Sequence, residues 1–464
     1  MDAFKVTDAE KQVCAVHDVF IVDEGKPSHS PSPSSSSLNS SRTAHSYHPS
    51  VETPPSSATQ PQYDFLPPDG GWRAWSQVLA AHLINAMSFG YAASFGVYQL
   101  YYVDTLGLPA AKVSWIGSCQ VFLTFAMCAF SGRLADAGYS REIVIVGCFF
   151  AVLGSYMTSF CFEYWQFFLA QGVCTGFGLG IIFAPAVSVT SSYFKKNRSL
   201  ALSIAATGTS VGGLVFPSTI QYLIPRIGFR WAARCAALVA LVICAGACAL
   251  LRPFIPGRKN GPLFEWEAFK ELPYALFATG AMLNFYGIYF GQFYINSFAR
   301  NIIGFSSLES VNLLLIANAV GIPIRPLVGY AANNYLGPIN IFIMAIAFVG
   351  TMLYGWIGIT TRTSMYIFSA LFGAAVSTNQ ATFVPSLASL TQDPQKMGIR
   401  FGMVETLCSF ATLAGPPTAG AILDRSGGEY FSAQIWGGSI MMAGALTIAA
   451  ARVSATGWKW NIMI

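Results

Sequence analysis

Ser131-Gly132-Arg133-Leu134-Ala135-Asp136-Ala137-Gly138-Tyr139-Ser140-Arg141 is a short polar interruption between two apolar runs, 113–130 before it and 143–162 after it. Each run has about the 20 residues that a helix needs to cross the hydrocarbon core of a bilayer. Arg133 and Arg141 in so short a turn mark the side of a membrane where basic loops collect. The stretch therefore reads as the tip of a hairpin of two membrane-crossing helices.

The same pattern repeats outward along the chain. Runs of crossing length are predicted at 75–98, 113–130, 143–162, 165–187, 199–224 and 232–251, and then at 274–296, 311–332, 339–359, 365–387, 401–423 and 433–451. Composition agrees, with 54% hydrophobic residues, 10% charged residues and a mean hydropathy of +0.51. A soluble chain carries about 25% charged residues, so an ordinary soluble enzyme is excluded. The expected fold is an all-α integral membrane protein of twelve transmembrane helices in two pseudo-symmetric six-helix bundles.

Domain limits follow from the shifts in composition. Residues 1–66, rich in Ser and Pro, are expected to form a disordered cytoplasmic tail. An N-terminal bundle is expected at 67–251, a cytoplasmic linker at 252–273, a C-terminal bundle at 274–452 and a short cytoplasmic tail at 453–464. The linker stretch 263–272 could form a short interfacial helix. No cleavable signal peptide is expected, because the first 30 residues lack an apolar core.

Charge sets the orientation. Residues 1–68 hold four basic and eight acidic side chains, leaving a net +9 on the rest. With the tail inside, fifteen basic residues of the membrane region fall on the cytoplasmic side and seven on the other, so both termini are expected in the cytoplasm. No basic run suggests a nucleic-acid partner. Ten scattered cysteines show neither a metal-ligand spacing nor a disulfide framework. No cofactor and no metal are expected, and no nucleophile–base pair or phosphate loop points to an enzyme.

The halves echo one another. Gly132-Arg133-Leu134-Ala135-Asp136 closes the second run and Gly329-Tyr330-Ala331-Ala332-Asn333 closes the eighth. The fifth carries Gly208, Gly212, Gly213 and Pro217, and the eleventh carries Gly415, Pro416, Pro417 and Gly420. A parallel repeat of six helices places a solute site between the halves near mid-membrane.

Three motifs carry a family resemblance. The stretch 131–141 resembles the loop between helices 2 and 3 of the major facilitator superfamily. Pro67-Pro68-Asp69-Gly70-Gly71-Trp72-Arg73-Ala74-Trp75 resembles the Asp-Gly-Gly-Trp lead into helix 1 of its monocarboxylate-porter family, most closely the fungal members. Tyr193-Phe194-Lys195-Lys196-Asn197-Arg198-Ser199-Leu200-Ala201 resembles that family's helix 4–5 segment. The likeness runs over roughly residues 67–452 and implies alternating access by rocking of the halves. It also implies a latch in which Asp136 caps helix 11 with Arg133 or Arg141 as ionic partners, against the plainer reading of a positive-inside loop.

Charges and amides inside the membrane need a reason, since even insertion scales set about 2.5–3.5 kcal/mol on a central charge. Arg325, between Pro323 and Pro326, resembles the family's Arg-Pro of helix 8, which implies an anion site; snorkelling to the surface is the alternative. Glu405 is a candidate proton carrier, or else a structural charge beside Arg400. His82 and Asn85, one turn apart in the first run, are candidates for substrate or proton contact. Packing is the alternative for His82. Phe285, Tyr289, Gln292 and Asn296 form one stripe of the seventh run. With Asn284, Asn379 and Gln380 they complete the candidate solute site, and the resemblance implies that helices 1, 4, 7 and 10 line it.

Two positions depart from the proton-coupled lactate-type members: Ala93 stands where they carry a lysine, and Gly321 where they carry an aspartate. The expected function is secondary active transport of a small organic molecule, an organic acid or secondary metabolite. Proton-linked uptake of a short monocarboxylate and a non-transporting nutrient sensor are the alternatives. The partners expected are the solute, with or without a proton, and the lipid bilayer. A monomer in the plasma membrane is expected, with the vacuolar membrane as second address.

Overall fold

The computed structural model describes residues 67–258, 262–391 and 393–459, so the tail 1–66 lies outside the described residues. Two continuous helical stretches, Lys112–Phe160 and Arg198–Leu250, have 49 and 53 residues. At 1.5 Å per residue each is about twice the 30 Å of one bilayer core. Each is two crossings joined through a single glycine with positive φ, Gly138 (98°) in the first and Gly228 (77°) in the second. Only glycine takes that backbone conformation without a steric cost.

Counting these as pairs gives twelve crossings among the described residues: α1 (Gly71–Asp104), α2 (110–134), α3 (Ser140–Met157), α4 (Tyr164–Tyr193), α5 (198–227) and α6 (229–250), then α7 (Leu272–Asn301), α8 (Ser307–Ala331), α9 (Pro338–Gly355), α10 (Arg362–Leu390), α11 (Met397–Arg425) and α12 (Phe431–Thr456). Helices α7 and α11 are missing from those apolar enough to stand out by hydropathy alone. They carry Gln292, Asn296 and Glu405, the kind of polar group expected to face protein or water rather than lipid.

The apolar interior falls into two clusters. One is built from residues 74–251 with Val311; the other, from 268–451, also takes in Cys128, Phe183, Ala184, Val187 and Leu202. Those five residues form the seam where the two sets of helices meet. They sit toward one end of the molecule, here called the linker end, which carries the α2–α3, α4–α5 and α10–α11 turns.

The linker itself differs from the expected interfacial helix. Its only helical part among the described residues is one tight turn, Trp266–Lys270. Glu265 binds Lys396, and Glu271 takes the Arg400 guanidinium on both carboxylate oxygens (3.0 and 2.5 Å). These ion pairs tether the linker to the start of α11, which an amphipathic helix lying in the interface would not do.

At the same end, α2 and α11 touch backbone to backbone. A Cβ on Gly398 would land on the Gly132 carbonyl oxygen and the Asp136 carboxylate, so neither contact survives a larger residue.

Candidate solute cavity

A cavity of about 590 Å³ lies between the two sets of helices. That is within the roughly 300–1,000 Å³ range of small-molecule sites. Its walls come from α1 (Phe89, Ala93, Gln99), α2 (Ser118, Thr124, Phe125), α5 (Thr209), α7 (Tyr289, Gln292, Asn296), α8 (Asn318, Arg325), α10 (Ser377, Gln380) and α11 (Pro416, Pro417). It runs toward Asp104, Arg300 and Asn301 at the end opposite the linker. None of its wall comes from α4, although the resemblance placed that helix there. Gly172, Gly176 and Gly180 instead bring α4 against Ile116, Gln120 and Leu123 of α2. The small-residue face is spent on packing.

Arg325 is 2% exposed. Its Nε donates to Ser210 Oγ (3.1 Å) and one terminal nitrogen donates to the Gln380 side-chain oxygen. No carboxylate lies within ion-pair distance of it among the described residues. Neutral acceptors thus hold the guanidinium in place without cancelling its charge, which leaves it able to attract an anion in the cavity. Snorkelling is not what this side chain does.

The α7 stripe divides. Tyr289, Gln292 and Asn296 line the cavity, and the Asn296 Oδ1 is buried with no hydrogen-bond partner. Phe285 sits one turn behind, edge-on to Phe125 at 5.3 Å. Asn284 lies off the stripe and exchanges two hydrogen bonds with Asn379 (3.2 and 2.7 Å), so both amides are used up between α7 and α10. Neither borders the cavity.

His82 and Asn85 also stand behind the wall. The His82 ring meets the Ile204 carbonyl at 3.4 Å, while Asn85 donates to Ala81 O (2.8 Å) and accepts from Thr209. Thr209 is the residue of that group that reaches the cavity. Sequence reasoning had no signal for Gln99, Ser118, Thr209 or Asn318. Each is one of several polar residues in its helix, and only the neighbour across the gap shows which of them faces the cavity.

Glu405 is 1% exposed, and its Oε2 has no partner. The expected neighbour Arg400 is turned away toward Glu271 and Glu265. Close enough to interact electrostatically with Glu405 are Cys128, Cys408 and Tyr289, the last a cavity wall residue.

The linker end of the cavity is closed. Asp136 accepts from the N–H groups of Gly398 (3.0 Å) and Ile399 (2.7 Å) in the first turn of α11, and from Ser188 Oγ (3.1 Å). Arg133 donates to the carbonyls of Pro262 and Arg258 in the linker, and Arg141 is exposed. Arg198 bridges α5 to the Ala388 carbonyl of α10 (3.1 Å). Asp69 supplies a further fastening. Its Oδ1 accepts from the N–H groups of Lys195 (2.5 Å), Lys196 (2.7 Å) and Asn197 (3.4 Å), so the lead into α1 caps the turn that starts α5.

A two-lobed helical bundle with a central cavity closed at one end is the build of an alternating-access carrier, and the sequence agrees. The family model described as Major Facilitator Superfamily matches residues 78–416. This chain belongs to that superfamily. It is similar to an MFS-type transporter of Gibberella zeae, at 38% identity over 390 residues, 84% of this chain and 88% of the relative. It is also similar to the aspyridones efflux protein of Emericella nidulans (33%, 84% and 80% covered) and the fujikurins efflux protein of Gibberella fujikuroi (32%, 84% and 85%). Among solved structures, the human organic anion transporter MFSD10 matches with a TM-score of 0.65 at 14% identity, over 81% of this chain and 99% of that one. That match shows the fold alone. The facilitator is a multi-pass membrane transporter with its cavity open away from the linker end.

Proposed function

We propose that this facilitator exports a weakly acidic, ring-bearing organic metabolite. The observation that carries the reading is Arg325, a buried cation without a carboxylate partner among the described residues. The cavity wall around it also offers amides, hydroxyls and aromatic rings among aliphatic side chains, with Asp104 and Arg300 toward its far end. A solute carboxylate or enolate would supply the missing charge, and Phe89, Phe125 and Tyr289 would take its rings. The efflux proteins for aspyridones and fujikurins among its relatives support the outward direction and the metabolite class.

The fungal branch of the monocarboxylate porters is the proposed subfamily, without the lactate chemistry. Gly321 stands where lactate-type members carry aspartate, and a Cβ there would run into Ser377 Oγ and Ser210 Oγ. Ala93, in the place of their lysine, opens the cavity wall. A short monocarboxylate would leave most of 590 Å³ unfilled, which favours a larger solute.

In this reading the linker end faces the cytoplasm, which the excess of basic residues on that side supports, and the membrane is the plasma membrane. The units 67–251 and 274–452 rock about the cavity, with Asp136 as the latch. Of the two coupling candidates, Glu405 is preferred over His82 because its carboxyl has a free oxygen beside the wall residue Tyr289.

The test is flux of a labelled panel in proteoliposomes with an imposed pH gradient. Ring-bearing acids should move, and Arg325→Ala should raise KM for the acid at least about tenfold, the loss of a charge-assisted contact. The neutral methyl ester should be indifferent to the change. Equal transport of acid and ester by both proteins would overturn the reading.

A further inference from the structure

Beneath the cavity, six phenylalanines close into a ring, each from a different helix. Phe89 of α1 packs on Phe125 of α2 (ring centroids 5.3 Å) and on Phe183 of α4 (4.6 Å). Phe383 of α10 packs on Phe285 of α7 (5.3 Å) and on Phe401 of α11 (6.3 Å). These are two arcs of three, one on each half of the fold. Two contacts join them, Phe125 with Phe285 (5.3 Å) and Phe183 with Phe401 (5.4 Å).

Position gives the ring its meaning. Phe89 and Phe125 form cavity wall, whereas the other four stand behind it. Phe401 comes two residues after Ile399, whose N–H is held by Asp136. The ring therefore lies between the cavity and the closed linker end. It belongs to neither half's interior alone: of the ring's six contacts, separating the halves breaks the two joining ones, together with the flanking Phe125–Tyr289 contact (6.4 Å), and keeps each arc whole. Phe89 and Phe285 are only partly buried, as befits faces that exchange partners.

We propose that this phenylalanine ring is the seal between the cavity and the linker end and the filter that a solute passes there. A flat, ring-bearing solute crosses by trading the edge-to-face contacts of Phe125–Phe285 and Phe183–Phe401 for contacts with its own ring. A non-aromatic acid of similar size must part the same rings with nothing to replace those contacts. The filter thus rests on the transport reading above, whereas the seal does not depend on which solute is carried.

The experiment compares wild type with Phe285→Ala/Phe401→Ala in proteoliposomes. One readout is glycerol permeation by osmotic light scattering, which needs no knowledge of the solute. The other is the ratio of flux for a ring-bearing acid to that for an aliphatic acid of equal size. Wild type should be as tight as empty liposomes; the double variant should leak several-fold faster and lose most of its preference for the ring-bearing acid. If the double variant does not yield a monodisperse protein, Phe285→Leu and Phe401→Leu, which keep apolar bulk but not the ring edge, read the same two quantities. A folded variant with wild-type tightness and an unchanged ratio overturns the proposal. Absence of any solute flux in the wild type would instead overturn the transport reading and the filter, while glycerol entry through the variant would still support the seal.

Discussion

The carboxylate of Asp136 holds the backbone N–H of Ile399 at 2.7 Å, with Gly398 on its other oxygen at 3.0 Å. One side chain at the end of α2 thus serves as N-terminal cap to α11, a helix of the other half. Losing a cap costs about 0.5–2 kcal/mol, and one to two kcal/mol is a factor of about 5–30 in a two-state balance. Asp136→Ala should therefore open the linker end more often. In a protein retaining only Cys128, which is buried at the same seam, a thiol reagent added from the linker side should label faster by that order. Unchanged labelling would mean that the remaining fastenings, the Gly132–Gly398 contact, the Arg198–Ala388 bridge and the phenylalanine ring, keep the end shut without this cap.

Asp69 caps the α4–α5 turn through three amides and touches no part of the cavity. Asp69→Ala should lower the thermal midpoint of the solubilised protein by a few degrees and reduce the maximal rate, because Arg198 loses the turn that aims it at Ala388. KM should stay where it is. A shift in KM with an unaltered maximal rate would contradict this positioning role.

That contact also shows where the sequence was legible and where it was not. Asp69-Gly70-Gly71-Trp72 and Lys195-Lys196-Asn197-Arg198 are each readable as local motifs, yet nothing in one-dimensional order says that the first binds the second. The crossings were legible because twenty apolar residues in a row have few other uses. Their ends were not: α7 was expected at 274–296 and runs Leu272–Asn301, and α11 was expected at 401–423 and runs Met397–Arg425. Hydropathy stops at the first charges, whereas backbone hydrogen bonding continues past them. Polar residues inside the membrane met the same limit. Arg325 and the Tyr289–Gln292–Asn296 face stood out by type and spacing, but an asparagine facing a cavity and one bonded to its neighbour look alike in sequence.

Asn284 and Asn379 make that distinction testable. Because their amides satisfy each other, removing one should strand the other at a cost of about 1–3 kcal/mol, while replacing both by apolar groups should be close to neutral. Asn379→Leu alone is expected to lower the thermal midpoint, and Asn284→Leu/Asn379→Leu to recover most of the loss, with KM unmoved in the folded variants. A KM that rises in the double variant would put these amides back among the solute contacts.

Glu405 separates coupling from transport. Its carboxyl is enclosed one turn beyond Phe401, with Arg400 committed to Glu271, so no cation on the described chain holds it as an ion pair. Gln keeps its size and its ability to hydrogen-bond but cannot exchange a proton. In Glu405→Gln, flux driven by a pH gradient should fall to the level of empty liposomes, whereas exchange of labelled for unlabelled solute at equal pH should persist, because exchange needs the cavity to cycle but needs no net proton movement. The pH dependence of that exchange should flatten in the variant. Loss of both activities together would make Glu405 a structural group of the α2–α11 seam, and gradient-driven flux that survives the substitution would move the proton elsewhere, with His82 behind Thr209 as the next group to replace.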